Sequence, residues 1–238
     1  MERLAGAHEH LDGELDAAVL AGNLRDLARI NRWLGGVELS RRAIGALAIG
    51  PRRDSRTTLT VLDVGAGGAD IPAALLTGRR GNRMTITATD ARPEIVAQAH
   101  AMHGGIPGLA HQVADGTQLP WPNEAFDVAH ISLVLHHLEP EAAEAMLAEL
   151  GRVARLGVVV NDLDRSRHGW LGAWLLLHAT TRNPYTRHDG PLSVRRAYRP
   201  GEVAALAGRL GLLEIGRFNG ILRHRYAIAF ARSPEVAV

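Results

Sequence analysis

Cysteine and lysine are both missing from the 238 residues. Without thiols there can be no disulfide, no thiolate metal site and no cysteine nucleophile, and nothing points to secretion. Without lysine there is neither a Schiff-base amine nor a phosphate-loop ammonium, because all 27 Lys-plus-Arg positions are arginine. Excess charge is also lacking. The net charge is +2, with the arginines scattered among acids, which argues against a nucleic-acid partner. Long apolar runs are absent too. The longest, GWLGAWLLLHATT from Gly169, is shorter than the ~20 residues a bilayer requires and contains His178. The opening MERLAGAHEHLDGELD is charged and has no apolar signal core. Internal repeats and low-complexity segments are not found. The expectation is a soluble cytoplasmic protein without a membrane partner, either a monomer or a homodimer.

What is present suffices for a full core, since 46% of the residues are hydrophobic. Residues 9–49 carry Leu11, Leu15, Val19, Leu24, Leu27, Ile30 and Leu34 at helical spacing, with a break at Gly35-Gly36, and predict two helices. From Thr58 the period changes. TLTVLDV, TITATD, a short run at His111–Ala114, FDVAHISLV and LGVVVND predict five strands, with helices over DIPAALLTG, RPEIVAQAHAM and PEAAEAMLAELGRVA. Asp70 is placed to cap the first of these helices, with Pro72 in its first turn. Strands that are near-continuous apolar runs alternating with helices imply a parallel sheet covered on both faces. LLEIGRF and RYAIAFAR, joined by NGILRH, suit a reversed final strand.

The predicted architecture is thus α/β, Rossmann-like and doubly wound, with a mostly parallel seven-stranded sheet and an antiparallel last strand. Residues 1–50 form a helical cap and 51–238 the main domain. Residues 163–200 form an insertion after strand five: a Trp-containing helix, then the polar loop RNPYTRHDGPLSVRRAYRP.

The stretch VLDVGAGGAD follows the first strand with three glycines within four residues. Such a loop lets backbone N–H groups approach a ligand at a helix N-terminus, in the crevice beyond the strand ends. A dinucleotide fingerprint requires a third glycine where Asp70 stands, and a carboxylate there would repel a pyrophosphate. Asp63 likewise favours a cationic ligand, which disfavours a nicotinamide oxidoreductase. S-adenosylmethionine carries a sulfonium and an ammonium and no phosphate. Asp90 ends the second strand, where a carboxylate can accept both ribose hydroxyls, and Asp115 follows the third, near the place of an adenine amino group.

LDVGAGGADIP, TATDARPEIVAQA and ADGTQLPWPNEAFDVAHISLVLHHL together resemble the successive motifs of class I S-adenosylmethionine-dependent methyltransferases, especially the small-molecule branch similar to ubiquinone and menaquinone biosynthesis. The resemblance spans about residues 58–162. It implies that Asp63, Gly65, Ala66 and Gly67 surround the methionine end, Asp90 and Ala91 the ribose, and Asp115 with Gly116 the adenine, with Ser132 completing the set. Arg32 is a candidate partner for the cofactor carboxylate, and otherwise a surface residue beside a core Trp33.

Methyl transfer needs positioning, and a general base if the acceptor is a hydroxyl. His136 and His137 follow the fourth strand; Asn161, Asp162 and Asp164 follow the fifth. A His–Asp pair across that gap is the expected catalytic element, comprising His137, His136 and Asp162. The alternative is that one His packs on the cofactor and the other caps a helix. In the insertion, His168, His178, His188 and Asp189 could reach the pocket, and Trp170, Trp174 and Tyr185 could line it. No metal is expected, because some relatives place a Glu and a His after this strand as ligands and here Leu133 and His136 leave no Glu in the matching places, although the two His with Asp162 and Asp164 offer a cation-binding alternative. The expected function is methyl transfer from S-adenosylmethionine to a phenolic, quinone-like or polyketide-like small molecule, at oxygen. The alternatives are a cyclase or decarboxylase that uses the sulfonium charge, and a non-catalytic cofactor-binding module.

Overall fold

A computed structural model describes residues 1–7, 9, 17–49, 57–78 and 83–232. The elements in chain order are α1 (Ala17–Trp33), α2 (Gly36–Ala48), β1 (Leu59–Val64), α3 (Asp70–Thr77), β2 (Met84–Asp90), α4 (Pro93–His103), β3 (Leu109–Val113) and β4 (Phe126–Ser132). A 3-10 turn (Leu135–His137), α5 (Pro140–Val153), β5 (Ala154–Leu163), α6 (Arg167–Thr180), α7 (Pro184–Arg196), α8 (Pro200–Arg209), β6 (Leu212–Asn219) and β7 (Arg225–Arg232) complete it. The strands form one sheet in the order β3-β2-β1-β4-β5-β7-β6, with only β7 antiparallel to its neighbours. This is the doubly wound sheet that the alternating pattern predicts.

Period-two alternation sorts the strand side chains into two cores. Leu62, Val64, Ile131, Val158 and Val160 face α5 and α8, meeting Leu147, Leu150 and Leu206. Val61, Val128 and Val159 face the other way, onto Leu39, Ile44 and Leu47 of α2 and Ile71 and Leu75 of α3. Within the expected N-terminal cap, then, α2 is a layer of the sheet packing, and α1 lies beyond it against α3 and α7. Leu11 and Leu15 lie outside the described residues. The break between the helices is Gly35, held at φ +80°, a conformation open to glycine.

Three local expectations are corrected. Asp70 does not cap α3: Ala69 holds the N-cap position at φ 56°, without a side-chain cap, and Asp70 is the first helical residue. The polar stretch from Arg182 is largely helix, because Asn183 caps α7 by accepting from the N–H groups of Tyr185 and Thr186, and Pro184 fits the first turn. Trp33 is no core residue: it is 67% exposed. A further helix, α8, fills the connection to β6, started by Pro200 and a reciprocal bond from the Arg199 N–H to Glu202.

Candidate functional site

The order β2-β1-β4 reverses the chain direction of winding beside β1, and ligands of open α/β sheets bind at that switch point. The glycine loop leaves β1 there. Gly65 and Gly67 adopt φ +68° and +54°, and a Cβ at Gly65 would lie 2.5 Å from Val134 Cγ2. The loop is tied to β2 by Ala66 N–H donating to the Thr89 carbonyl (2.7 Å) and Gly67 N–H to Asp90 Oδ2 (3.2 Å). Asp90 Oδ1 accepts from Arg92 N–H (3.1 Å), and burial raises the Asp90 carboxyl against these bonds. Ala91 is exposed beside it. Asp115 is exposed past β3, where the Thr117 N–H and hydroxyl hold its carboxyl below the usual range. Gly116 is buried, and a Cβ there would lie 2.5 Å from Met146 Cε and 2.8 Å from Val64 Cγ1. The glycine loop, Asp90 and Asp115 therefore stand at successive strand ends, as a ligand cradle requires.

A cavity of about 660 Å³ opens between α1, this loop and α4, lined by Leu24, Arg25, Gly68, Asp70 and Met102 among others. Asp90 and Asp115 do not line it.

Asp63 and Arg32 are the other residues expected at the methionine end. Registry places Asp63 opposite His130 on β4, and the two side chains pair at 2.6 Å, with Asp63 only 2% exposed. One oxygen of its carboxylate is thus held by His130. Arg32 is exposed on α1. The arginine at the strand ends is Arg225, fully buried at the start of β7. Its guanidinium donates to Asn161 Oδ1 (2.6 Å), Asn31 Oδ1 (2.5 Å) and Ser132 Oγ (2.7 Å), so Ser132 is a network member. Burial pulls Arg225 down to about 10, against the charges of Asp162 and Asp70.

These residues form one buried relay. Asn31 Nδ2 donates to Asp70 Oδ2 (3.0 Å), and Asn161 Nδ2 donates to Ser40 Oγ (2.7 Å). Ser40 Oγ also meets His130 Nε2 (2.8 Å), whose Nδ1 pairs with Asp63. Burial raises the Asp70 carboxyl, opposed by Asn31 and Arg225. Sequence reasoning missed His130 and Arg225. A His inside the apolar run FDVAHISLV is the signal that a buried partner must exist.

The expected His–Asp pair does form. His136 Nδ1 lies 2.7 Å from Asp162 Oδ1, and His136 N–H donates to Asp162 Oδ2 (3.1 Å). Burial alone would raise Asp162; the His136 charge and these hydrogen bonds outweigh it and hold the carboxyl low. Asp162 accepts on Oδ1 from the Leu163 N–H as well. The His137 ring lies tilted beside that of His136, with ring centroids 4.3 Å apart, and is the more open of the two.

Above them sits Glu9, which no strand motif announces. Its oxygens are 3.9 Å from His136 Nε2, 3.7 Å from His137 Nε2 and 3.6 Å from the Arg196 guanidinium. Burial nevertheless pushes its carboxyl up to about 7. Glu9, His136 and His137 are the described His and acid side chains close enough to share a cation, with ligand atoms within 4.8 Å. The permanent charge of Arg196 against the same oxygen opposes a divalent ion there. The metal grouping with Asp162 and Asp164 does not assemble, because Asp162 is consumed by His136 and Leu163.

From the insertion, α7 contributes Arg196, which donates to the His137 carbonyl (2.6 Å), and the buried Asp189. His168, His178 and His188 are exposed. So are Trp170 and Trp174, and neither lines the cavity beside the glycine loop. Tyr185 is half-buried in the first turn of α7.

Residues 61–157 match the family model described as a methyltransferase domain. No curated protein matches the sequence significantly. Among solved structures, the chain is similar to a SAM-dependent methyltransferase from Aquifex aeolicus, with 18% identity and a TM-score of 0.62 over 92% of this chain and 98% of that one. It is also similar to an O-methyltransferase family 2 protein from Planctomyces limnophilus in complex with apigenin (16% identity, TM-score 0.67, 93% and 63% covered). A third is magnesium protoporphyrin IX methyltransferase from Synechocystis with bound SAH (15% identity, TM-score 0.56, 93% and 90% covered).

Proposed function

We propose that the chain is a class I S-adenosylmethionine-dependent methyltransferase that methylates a hydroxyl of a small phenolic, quinone-like or polyketide-like acceptor; the methyltransferase-domain match over residues 61–157 and the fold shared with solved methyltransferases support the reading. The cradle suits the cofactor: a tight loop after β1 in which Gly65 leaves no room for a Cβ, a carboxylate at the end of β2 and another just past β3. Gly65, Ala66 and Gly67 would hold the methionine end, Asp90 the ribose and Asp115 the adenine. When bound, S-adenosylmethionine supplies a methyl group already activated on a sulfonium.

The observation that carries the reading is the His136–Asp162 pair. Asp162 accepts the Nδ1 proton of His136 and so presents the Nε2 lone pair on the opposite edge of the ring. That nitrogen can take the proton of an acceptor hydroxyl, and Asp162 stabilises the imidazolium that results. Burial of the pair keeps water from competing for the proton. His137 and Arg196 bound the same space and orient the acceptor.

The test is a panel of phenols, hydroquinones and amines incubated with S-adenosylmethionine, read by product mass and release of S-adenosylhomocysteine. His136→Ala is expected to lower turnover by about 10²–10⁴-fold while leaving cofactor affinity intact. Asp90→Ala is expected to weaken cofactor binding by roughly tenfold or more. Cofactor binding without methylation of any acceptor, or full turnover in His136→Ala, would overturn the proposal.

A further inference from the structure

The longest apolar run of the sequence is left uncovered. In α6, Trp170, Leu171, Trp174, Leu175 and Leu176 are all exposed, Leu175 to 54%, and only Leu177 of the helix is buried. Trp170 and Trp174, like Leu171 and Leu175, stand four residues apart, so they form one continuous stripe along the helix. Arg167 precedes Trp170, Leu171 and Trp174 by three, four and seven residues, and therefore shares their face. At the other end the stripe reaches His178, stacked on Trp174, and then Arg182.

The exposed charges on α6, on α7 beside it, and on α1 beyond α7 have one sign. These helices, with α7 packed on both α6 and α1, expose Arg25, Arg32, Arg167 and Arg195. Among their described residues the only carboxylates are Asp26 and Asp189, and both are buried. A second copy of this chain would bring arginine against arginine across a two-fold axis, so self-association is the poorer explanation. An anionic surface with an apolar interior satisfies both features at once. Exposed tryptophan beside leucine, with cations at the ends, is the composition of a helix lying at a membrane–water interface. With 14 residues, α6 is about 21 Å long, too short to cross the ~30 Å core, and no described helix is long and apolar enough to do so.

We propose that α6 docks the protein on an anionic lipid surface, lying in the headgroup plane with Trp170, Leu171, Trp174 and Leu175 immersed and the surrounding arginines against lipid phosphates. This replaces the sequence-based expectation of no membrane partner, and it does not depend on which acceptor is methylated. Because α6 packs on α7, which carries Arg196 to His137, the docked face lies one helix away from the candidate acceptor site.

The test uses the whole protein with vesicles of phosphatidylcholine, with and without about one quarter phosphatidylglycerol. Wild type is expected to co-sediment with the anionic vesicles, progressively less as salt rises, with tryptophan emission shifting to the blue. The double variant Trp174→Ser/Leu175→Ser is expected to bind at least about tenfold more weakly, with unchanged circular dichroism and unchanged S-adenosylhomocysteine binding. Arg167→Glu/Arg182→Glu is expected to weaken binding to the anionic vesicles in particular. Failure of the wild type to bind anionic vesicles overturns the proposal, as does undiminished binding by the tryptophan–leucine variant. A concentration-dependent dimer that this variant dissolves, without vesicle binding, would assign the face to a second copy instead.

Discussion

Gly65 bears two independent constraints, a left-handed φ of +68° and a contact that a Cβ would make with Val134 at 2.5 Å. Gly65→Ala is expected to cost about 1–3 kcal/mol of stability and to abolish the thermal shift given by S-adenosylhomocysteine, both readable in one melting series. Arg225 is constrained differently. It is the only cation in a buried set of amides, hydroxyls and carboxylates, so Arg225→Met would leave three acceptors without their donor and strip Asp70 and Asp162 of a compensating charge. A loss of about 3–5 kcal/mol by denaturant titration is the expectation; a loss under about 1 kcal/mol would mean that the relay is not held by the guanidinium. The glycines were legible in the sequence because φ and close approach leave a local signature. The partner of Asp63 is not legible locally because it lies 67 residues away: nothing short of the β1–β4 register says that its carboxylate meets His130.

Elements with a clean period were legible to within a residue or two, as β1, β2, β6 and β7 attest. The stretch that became α7 was not, since it is polar, carries Pro191 in its interior and has no apolar stripe. What makes it a helix is tertiary: Thr186 donates to Asp26, Asn23 donates to Thr186, and Asn183 both caps α7 and donates to the Val19 carbonyl of α1 (2.9 Å). Asn183→Ala removes the cap and the strut together. It is expected to destabilise the protein by about 1–2 kcal/mol and to raise amide exchange in α7 and α1 while leaving β4 and β5 protected. Uniform loss of protection would show that α7 is not a separate unit. α6 presents the reverse case. Its apolarity was obvious, yet apolarity alone cannot say whether a helix is buried or waits for another surface.

At the scale of the whole molecule, the described N-terminal residues, 1–7 and Glu9, reach across the fold to the candidate acceptor site. Arg3 donates to Glu139 and to the carbonyls of Leu138 and Arg196, Leu4 N–H donates to the Arg195 carbonyl, and Glu9 enters between His136, His137 and Arg196. Burial raises the Glu9 carboxyl from 4.5 to about 7, with the His137 charge, a Ser193 hydrogen bond and Arg196 opposing and Asp189 reinforcing. A group whose folded pKa is raised binds its proton more tightly in the folded state. The docked segment is therefore most secure below about pH 4.5 as far as Glu9 is concerned, and that contribution is lost as pH rises through about 7. The full difference is of order 3 kcal/mol, enough to turn a closed segment into a frequently open one without unfolding the sheet. Limited proteolysis within residues 1–9 should thus accelerate between pH 6 and 8. Glu9→Gln keeps the shape and removes the titration, so its cleavage rate should be flat over that range, and at pH 8 it should be slower than wild type by roughly tenfold or more. Equal pH dependence in the two proteins would assign the opening to another group. The same experiment run with acceptor and S-adenosylhomocysteine present asks whether Glu9 leaves when the site fills. If it does, protection of the segment should fall on acceptor binding at constant pH, because the acceptor and the Glu9 carboxylate compete for the same edge of His136.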